Sequence, residues 1–300
     1  MQRNIAVVGS ANLDIVVPVS RHPLPGETVL GGDLTQIPGG KGANQAVGAA
    51  RLGSAVSFLG CIGDDAAGAI LRASLDDSGV DTSAMRVVTG IPSGVALITV
   101  GPNGDNAIVV SPGANAILHP QDVFAHADML TDTVTLLQLE ISLETTLAAA
   151  ETATGIVLLD PAPAPAEGLP SELLSAIDIL TPNETELALL AGRSIDTHDL
   201  DDVIDAARSL AVERVVVTLG ERGAVVIGDV TAHVPSPTVE AVDTTAAGDA
   251  FRSALATQLS KGRTLVDATG FAVRVGAATT LRFGAQPSLP SAAEVDELLA

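Results

Sequence analysis

Arg214-Val215-Val216-Val217-Thr218-Leu219 is a nearly unbroken apolar run. A strand with one wet face alternates apolar and polar residues, whereas a run of this kind is suited to burial on both faces. Parallel sheets covered by helices on either side provide that environment. The stretch before it, 200–210, is helical in pattern, and the same pairing recurs outward along the chain. Strand-like runs stand at 5–9, 56–59, 134–137, 156–159, 177–180 and 215–218, with helical stretches at 43–52, 66–78 and 200–210. This alternation predicts a three-layer α/β/α sandwich around a mostly parallel central sheet. Two segments break it. Residues 13–36 carry Val16, Val17, Val29 and Leu34 around Pro23, Pro25 and Gly26 without helical period. Residues 93–110 place Pro102-Asn103-Gly104-Asp105 between two β-rich runs, as in a hairpin. Together they predict a small antiparallel β lid beside the main sheet, the whole of 1–300 forming one domain.

The 300 residues are 47% hydrophobic, enough for a buried core. Runs such as 55–61 and 155–159 stay far below the ~18 residues of a membrane span. No charged-then-apolar leader precedes Asn4-Ile5-Ala6-Val7-Val8, so the expected location is cytoplasmic, with no membrane partner. The single cysteine, Cys61, excludes an internal disulfide and a cysteine-based metal cluster. A formal charge of −21 and 2% aromatics argue against nucleic acid, which needs a basic surface and stacking side chains. A small anionic ligand stays possible, because exposed charges are screened beyond about 8 Å at physiological salt and local donors decide.

Familiar nucleotide motifs are missing. The two lysines are Lys41 and Lys261, and neither sits in a Walker A loop. Gln45 stands where a dinucleotide fingerprint needs its third glycine, and no G-x-S-x-G elbow occurs. What remains is Gly39-Gly40-Lys41-Gly42-Ala43-Asn44, opening a helix whose Ala46, Val47, Ala50 and Leu52 face inward. Its glycines either let backbone amides approach a ligand, with Lys41 and Asn44 as further donors, or form only a tight turn. The second candidate is Asp243-Thr244-Thr245-Ala246-Ala247-Gly248-Asp249, ahead of core positions Phe251, Ala254, Leu255 and Leu259. Small residues at a helix start leave its first amides bare, which with the helix dipole makes an anion site. Asp249 in that turn either favours the helix N-terminus or acts as general base beside bound phosphate. The second role suits phosphoryl transfer, in which positioning and charge stabilisation dominate.

These blocks resemble the ribokinase family, the carbohydrate kinases of the phosphofructokinase-B type. The resemblance spans nearly the whole chain and keeps the family's order. Its blocks are Gly9-Ser10-Ala11-Asn12-Leu13-Asp14, residues 39–45, Leu139-Glu140, Asp160-Pro161-Ala162-Pro163-Ala164, Thr181-Pro182-Asn183-Glu184-Thr185-Glu186, Thr218-Leu219-Gly220, residues 243–249 and Gly284-Ala285-Gln286-Pro287-Ser288. The double alanine before Gly248 and the last block are most similar to the ribose-specific branch. The resemblance implies ATP-dependent phosphorylation of the primary hydroxyl of D-ribose. It assigns sugar hydroxyls to Asn12 and Asp14, closure of the sugar pocket to Gly40, Lys41, Gly42, Ala43 and Asn44, and a nearby place to Glu140. It makes Asp249 the base and Ala246, Ala247 and Gly248 the anion hole. Asn183 and Glu186 would reach the Mg²⁺–phosphate side through water, and Thr218, Gly220, Glu221, Arg222 and Gly223 would border ATP. A monovalent cation, K⁺, would sit on Asp243 and the carbonyls of Thr245, Thr279, Arg282 and Gly284, with Ser288 close. Family members often dimerise through the small sheet, so a homodimer is expected.

Departures from the pattern matter as much. Arg252 stands where ribokinases usually carry asparagine, and Ser253 replaces a usual glycine. Arg252 is expected to meet solvent or phosphate, with pairing to Asp249 as the alternative. Val273 replaces a histidine near the nucleotide, so that contact is not carried over. The five histidines (His22, His119, His126, His198, His233) form no ligand-spaced pair. Alternatives are a kinase for deoxyribose, fructose or a nucleoside, and a catalytically silent sugar-binding regulator on the same fold.

Overall fold

The computed structural model describes residues 3–102 and 105–300; Asn103 and Gly104 of the expected hairpin turn lie outside the described residues. The first strands are β1 (Ile5–Val8), β2 (Asn12–Pro18), β3 (Thr35–Gly39), β4 (Val56–Leu59), β5 (Cys61–Gly63), β6 (Arg86–Val88) and β7 (Gly94–Val100). After them come β8 (Asn106–Ser111), β9 (Val134–Leu137), β10 (Ile156–Leu159), β11 (Ile179–Leu180), β12 (Arg214–Thr218), β13 (Ala224–Ile227) and β14 (Ala232–Val234). The α-helices are α1 (Lys41–Arg51), α2 (Ala66–Asp77), α3 (Pro120–Ala125), α4 (Leu143–Thr152) and α5 (Ser171–Ala176). They continue with α6 (Glu184–Leu190), α7 (Leu200–Arg208), α8 (Ala247–Ser260), α9 (Leu265–Thr279) and α10 (Ala292–Leu298).

Eight strands form the main sheet in the order β14-β13-β12-β11-β10-β9-β1-β4. From β4 to β12 every pair is parallel; β13 and β14 join antiparallel at the edge. Side chains of a strand alternate between faces, and here both faces are dry. Ile5 and Val7 enter one core and Ala6 and Val8 the other; Val216 enters the first, Val215 and Val217 the second. Strands so placed need no polar positions, which explains the 214–219 run. The expected strand at 177–180 begins only at Ile179. The Asp178 carboxylate takes the amide of Val157 at 2.8 Å, so its side chain closes that end of the ladder.

The small sheet has the order β3-β2-β7-β8. It is antiparallel at β2–β3 and β7–β8, while its middle joint, β2–β7, is parallel. One face packs around Val16, Ile37 and Ala285. On the sheet Leu97, Ile108, Val109 and Val110 are exposed. No helix among the described residues is long and apolar enough to cross a membrane.

β1 turns one way to β4 and β9 lies on its other side, so the chain reverses direction across the β1–β9 pair. Open α/β sheets bind ligands at the carboxyl ends of strands beside such a switch point. Leu158 on β10 lies at the sheet centre, fully buried. Leu158→Ala is expected to cost about 2–5 kcal/mol, read as a lower urea midpoint at unchanged slope. An unmoved midpoint would show that the face of β10 bearing Leu158 is not packed.

Candidate active site at the carboxyl edge

Parallel strands end together, and their ends deliver the polar residues. Ser10 follows β1, Gln138 and Glu140 follow β9, Asp160 follows β10, Thr181 and Asn183 follow β11, and Thr218 closes β12. Across the switch point Ser10 Oγ donates to Glu140 Oε2 at 2.5 Å, and the same oxygen accepts from the Lys41 amide at 3.0 Å and Asn12 Nδ2 at 3.5 Å. Asn115 completes this corner, donating to Asn12 Oδ1 at 2.7 Å and accepting from the Ala11 amide at 3.0 Å.

Helix α1 enters this corner at very close range. Gly40 holds φ +87°, and a Cβ there would stand 2.6 Å from the Asn12 nitrogen; one at Gly42 would stand 2.7 Å from the Ser10 nitrogen. Only glycine fits both the left-handed turn and the contact. Seated this deeply, α1 points Asn44 and Gln45 at the start of α8. There Ala246 takes φ 59° and ψ 7°, a strained conformation for a residue with a Cβ. The Ala247 amide donates to Thr244 O at 3.2 Å. Among the described residues the amides of Ala246 and Gly248 have no protein acceptor, so the expected anion hole is open at two of its three positions.

Asp249 is 5% exposed. Its Oδ2 accepts from Asn44 Nδ2 at 2.9 Å and its Oδ1 from Gln45 Nε2 at 3.1 Å. Gln45 Nε2 also donates to Asp160 Oδ2 at 3.0 Å, and Gln45 Oε1 accepts from Gln138 Nε2 at 2.7 Å. One amide thus ties two buried carboxylates. Arg252 corrects the expectation of a solvent-facing side chain and also excludes its pairing with Asp249. It is 4% exposed, with Nη2 2.9 Å from Asp160 Oδ1 and 3.7 Å from Glu186 Oε2. The Asp160 contact is close but misaligned for a hydrogen bond; Nε and Nη2 donate instead to Thr181 Oγ1 and O, at 3.0 and 2.5 Å. Ser253 Oγ donates to the carbonyls of Gln45 and Asp249, riveting α1 to α8.

So many acids in one place distort each other's titration. Burial pushes Asp160 up to about 7, against the pull of Arg252 and Lys41. Burial likewise lifts Asp14 to about 7, helped by the charges of Glu140 and Asp249. Burial works to lower the Lys41 ammonium, yet the charges of Asp160 and Asp249 outweigh it and hold the group above its ordinary value.

Beside this cluster runs a cleft of about 820 Å³. Asn183, Thr218, Gly220, Glu221, Arg222 and Gly223 line it, with Ala247, Gly248, Arg252 and Val273. Arg222 is anchored by Glu184 and the Thr197 carbonyl. Asn183 and Glu186 form a reciprocal cap on α6, each side chain accepting the other's amide at 2.8 Å. Among the described residues no three His, Cys, Asp or Glu side chains are grouped to hold a metal. At the expected cation site, Asp243 Oδ1 accepts from Thr245 and its Oδ2 from the Gly284 amide at 2.8 Å. The carbonyls of Thr245, Arg282 and Gly284 have no protein donor among the described residues. That of Thr279 receives the Arg282 amide weakly, at 3.4 Å. The Arg282 side chain turns away to Glu294, and Ser288 Oγ donates to Ala285 O. A second cavity, about 730 Å³, lies at the opposite edge near Arg3 and Arg214 and contains none of the candidate residues.

The structure therefore adds Gln45, Gln138, Asp160, Thr181 and Asn115 to the polar framework. The first, third and fourth stand inside the blocks already singled out, without a role; Asn115 has no local signal.

The model of the "pfkB family carbohydrate kinase" matches residues 2–292. A ribokinase of Haemophilus influenzae is 38% identical over 307 residues, covering 100% of this chain and 99% of the relative. A deoxyribokinase of Salmonella typhi is 39% identical over 304 residues, 99% of this chain and 98% of the relative. Among solved structures, Arabidopsis thaliana ribokinase complexed with ribose and ATP superposes with a TM-score of 0.87 at 34% identity, covering 100% of this chain and 99% of that one.

Asp14 and Asp160 keep their protons to about pH 7 when folded but ionise near 3.8 when unfolded. The folded chain then binds more protons between those limits, so these two groups make stability fall as pH rises from about 4 to about 7. Denaturant titrations of ligand-free protein should show that fall, reduced in Asp14→Asn. A variant with the same slope as the parent would contradict the assignment.

Proposed function

The chain belongs to the pfkB family of carbohydrate kinases, and we propose that it transfers the γ-phosphoryl group of ATP to the primary hydroxyl of D-ribose. The products are D-ribose 5-phosphate and ADP. One observation carries this reading: a buried carboxylate, Asp249, sits in the first turn of a helix where Gly248, with a bare amide, lines the cleft. In this reading Asp249 takes the hydroxyl proton as the sugar oxygen bonds to phosphorus. The bond from the γ-phosphorus to the bridging oxygen breaks, and its electron pair leaves with ADP. The amides of Ala246 and Gly248 stabilise the charge that gathers on the moving group. The Ala247 amide, drawn toward Thr244, serves as the spacer between them.

Asn12 and Asp14 hold the sugar hydroxyls, Glu140 steadies that corner, and Gly40, Lys41, Gly42, Ala43 and Asn44 wall the pocket. Thr218, Gly220, Glu221, Arg222 and Gly223 border the nucleotide. Asn183 and Glu186 spend one oxygen each on their mutual cap, so they suit water-mediated contact with Mg²⁺ carried on the phosphates rather than direct ligation. Mg²⁺ there would offset phosphate charge. K⁺ suits the unpartnered carbonyls of Thr245, Arg282 and Gly284, with Thr279 and Asp243 beside them and Ser288 bracing the loop; it would steady the turn that bears the anion hole. Residues 1–300 act as one cytoplasmic kinase unit. Exposed Leu97 and Val109, opposite one another on one face of the β7–β8 pair, support a homodimer through the lid.

Deoxyribose is the second reading, favoured by the Salmonella typhi relative, whose 39% identity to this chain stands beside the 38% of the Haemophilus influenzae ribokinase. The silent-regulator reading loses its main support, because Arg252 engages Asp160 and does not pair with Asp249. Turnover of ATP with ribose, deoxyribose, fructose and adenosine separates these. Ribose should exceed deoxyribose in kcat/KM by about 10-fold or more, since a site built for a hydroxyl rejects the analogue lacking it. A larger value for deoxyribose or fructose would overturn the substrate, and ribose binding without ADP release would overturn the kinase. Replacing Na⁺ by K⁺ should raise the rate; equal rates would remove the cation site.

A further inference from the structure

We propose that Arg252 is a catalytic residue of this chain, its Nη1 taking a non-bridging oxygen of the γ-phosphoryl group during transfer. This rests on the kinase reading above.

The guanidinium is planar and its donors point in fixed directions. Two of its three nitrogens are spent on protein: Nε and Nη2 donate to Thr181, and Nη2 faces Asp160 and Glu186. Nη1 has no protein acceptor among the described residues, although the side chain is 4% exposed and lines the nucleotide cleft. Nη1 is not among the chain's buried unpartnered atoms, so it opens on the cleft, and an anionic ligand oxygen there would gain a charge-assisted hydrogen bond. Its place is set by the helix. A Cβ on Gly248 would stand 2.5 Å from Nη1, so this nitrogen lies against Gly248, whose own amide is also bare. Asp249 follows directly in the chain. A charged donor and a bare amide thus share one edge of the cleft, and the buried base is the next residue in the chain.

Stability does not account for the arginine. A buried ion pair contributes little net stability compared with a well-packed neutral replacement. Asparagine, the residue that the family resemblance leads one to expect here, would spare the fold the burial of a cation. Held on two edges by Thr181 and Asp160, the fork needs no reorganisation when charge develops, which is the condition under which such donors act most strongly.

Arg252→Asn should lower kcat by about 10²-fold while changing the KM for ribose by no more than about threefold, as expected for a group that acts in the transition state. Calorimetry without sugar supplies a reading that a merely structural role would not move. The affinity for a non-hydrolysable ATP analogue should fall by about tenfold while that for ADP, which lacks the γ-phosphate, stays within about twofold. The Asp160→Asn/Arg252→Asn double variant removes the carboxylate stranded by the first change. It should regain the parental melting temperature and keep the loss of analogue affinity and kcat. Recovery of kcat in the double variant would overturn the proposal, because Arg252 would then act only by neutralising Asp160. Equal loss of analogue and ADP affinity would overturn it too. A parent chain that turns over no sugar, yet shows the analogue-selective loss in Arg252→Asn, would refute the kinase reading and leave the γ-phosphate contact standing.

Discussion

Gln45 Nε2 donates to Asp160 and Asp249 at once, and the assembly of the site depends on that bridge. Without it Asp160 Oδ2 and Asp249 Oδ1, brought together from β10 and α8, would be buried with no hydrogen-bond donor. The bridge exists only because α1 is pressed against the end of β1, which Gly40 and Gly42 allow and almost any side chain would prevent. Gln138 fixes which end of the Gln45 amide faces the acids by donating to its oxygen. Ser253 then ties α8 to the backbone of α1 beside it. The polar centre and the packing of helices on the sheet are one construction.

Charge is the second constraint. The chain carries −21 overall and brings Asp14, Glu140, Asp160, Glu186 and Asp249 toward the place where a polyanion is expected to bind. The long-range field opposes such a ligand, though salt screens it. Close range decides the outcome. Lys41, Arg252 and the bare amides at α8 are the local positive side, while burial keeps Asp14 and Asp160 largely protonated up to about 7, which reduces the negative side.

Much of this was legible before any coordinates. The apolar run 214–219 implied a doubly covered strand, and β12 is buried in its middle three residues. The glycines at 39–42 and the small residues at 246–248 marked the two helix starts that meet at Asp249. What stayed hidden depends on pairing between distant segments. Helical phase places Arg252 one turn from Asp249 but cannot say that Asp160 and Thr181 wait there. Asn115 lies in a short turn without any motif, and its role comes from the close approach of β2 to β7. The parallel β2–β7 joint was equally unreadable, since parallel neighbours need no connecting turn. Asp178 shows the limit at finer scale: its side chain replaces a ladder contact and trims β11 to two residues.

The claim that Asp249 accepts the hydroxyl proton is tested most directly by single-turnover phosphoryl transfer in Asp249→Asn, saturated with ribose and ATP. Asparagine keeps the size and one acceptor oxygen but cannot take the proton. The account predicts a transfer rate lower by about 10²–10⁴-fold, with ribose and ATP affinities within a few-fold of the parent. Transfer at close to the parental rate would contradict it and move the base elsewhere in the cluster.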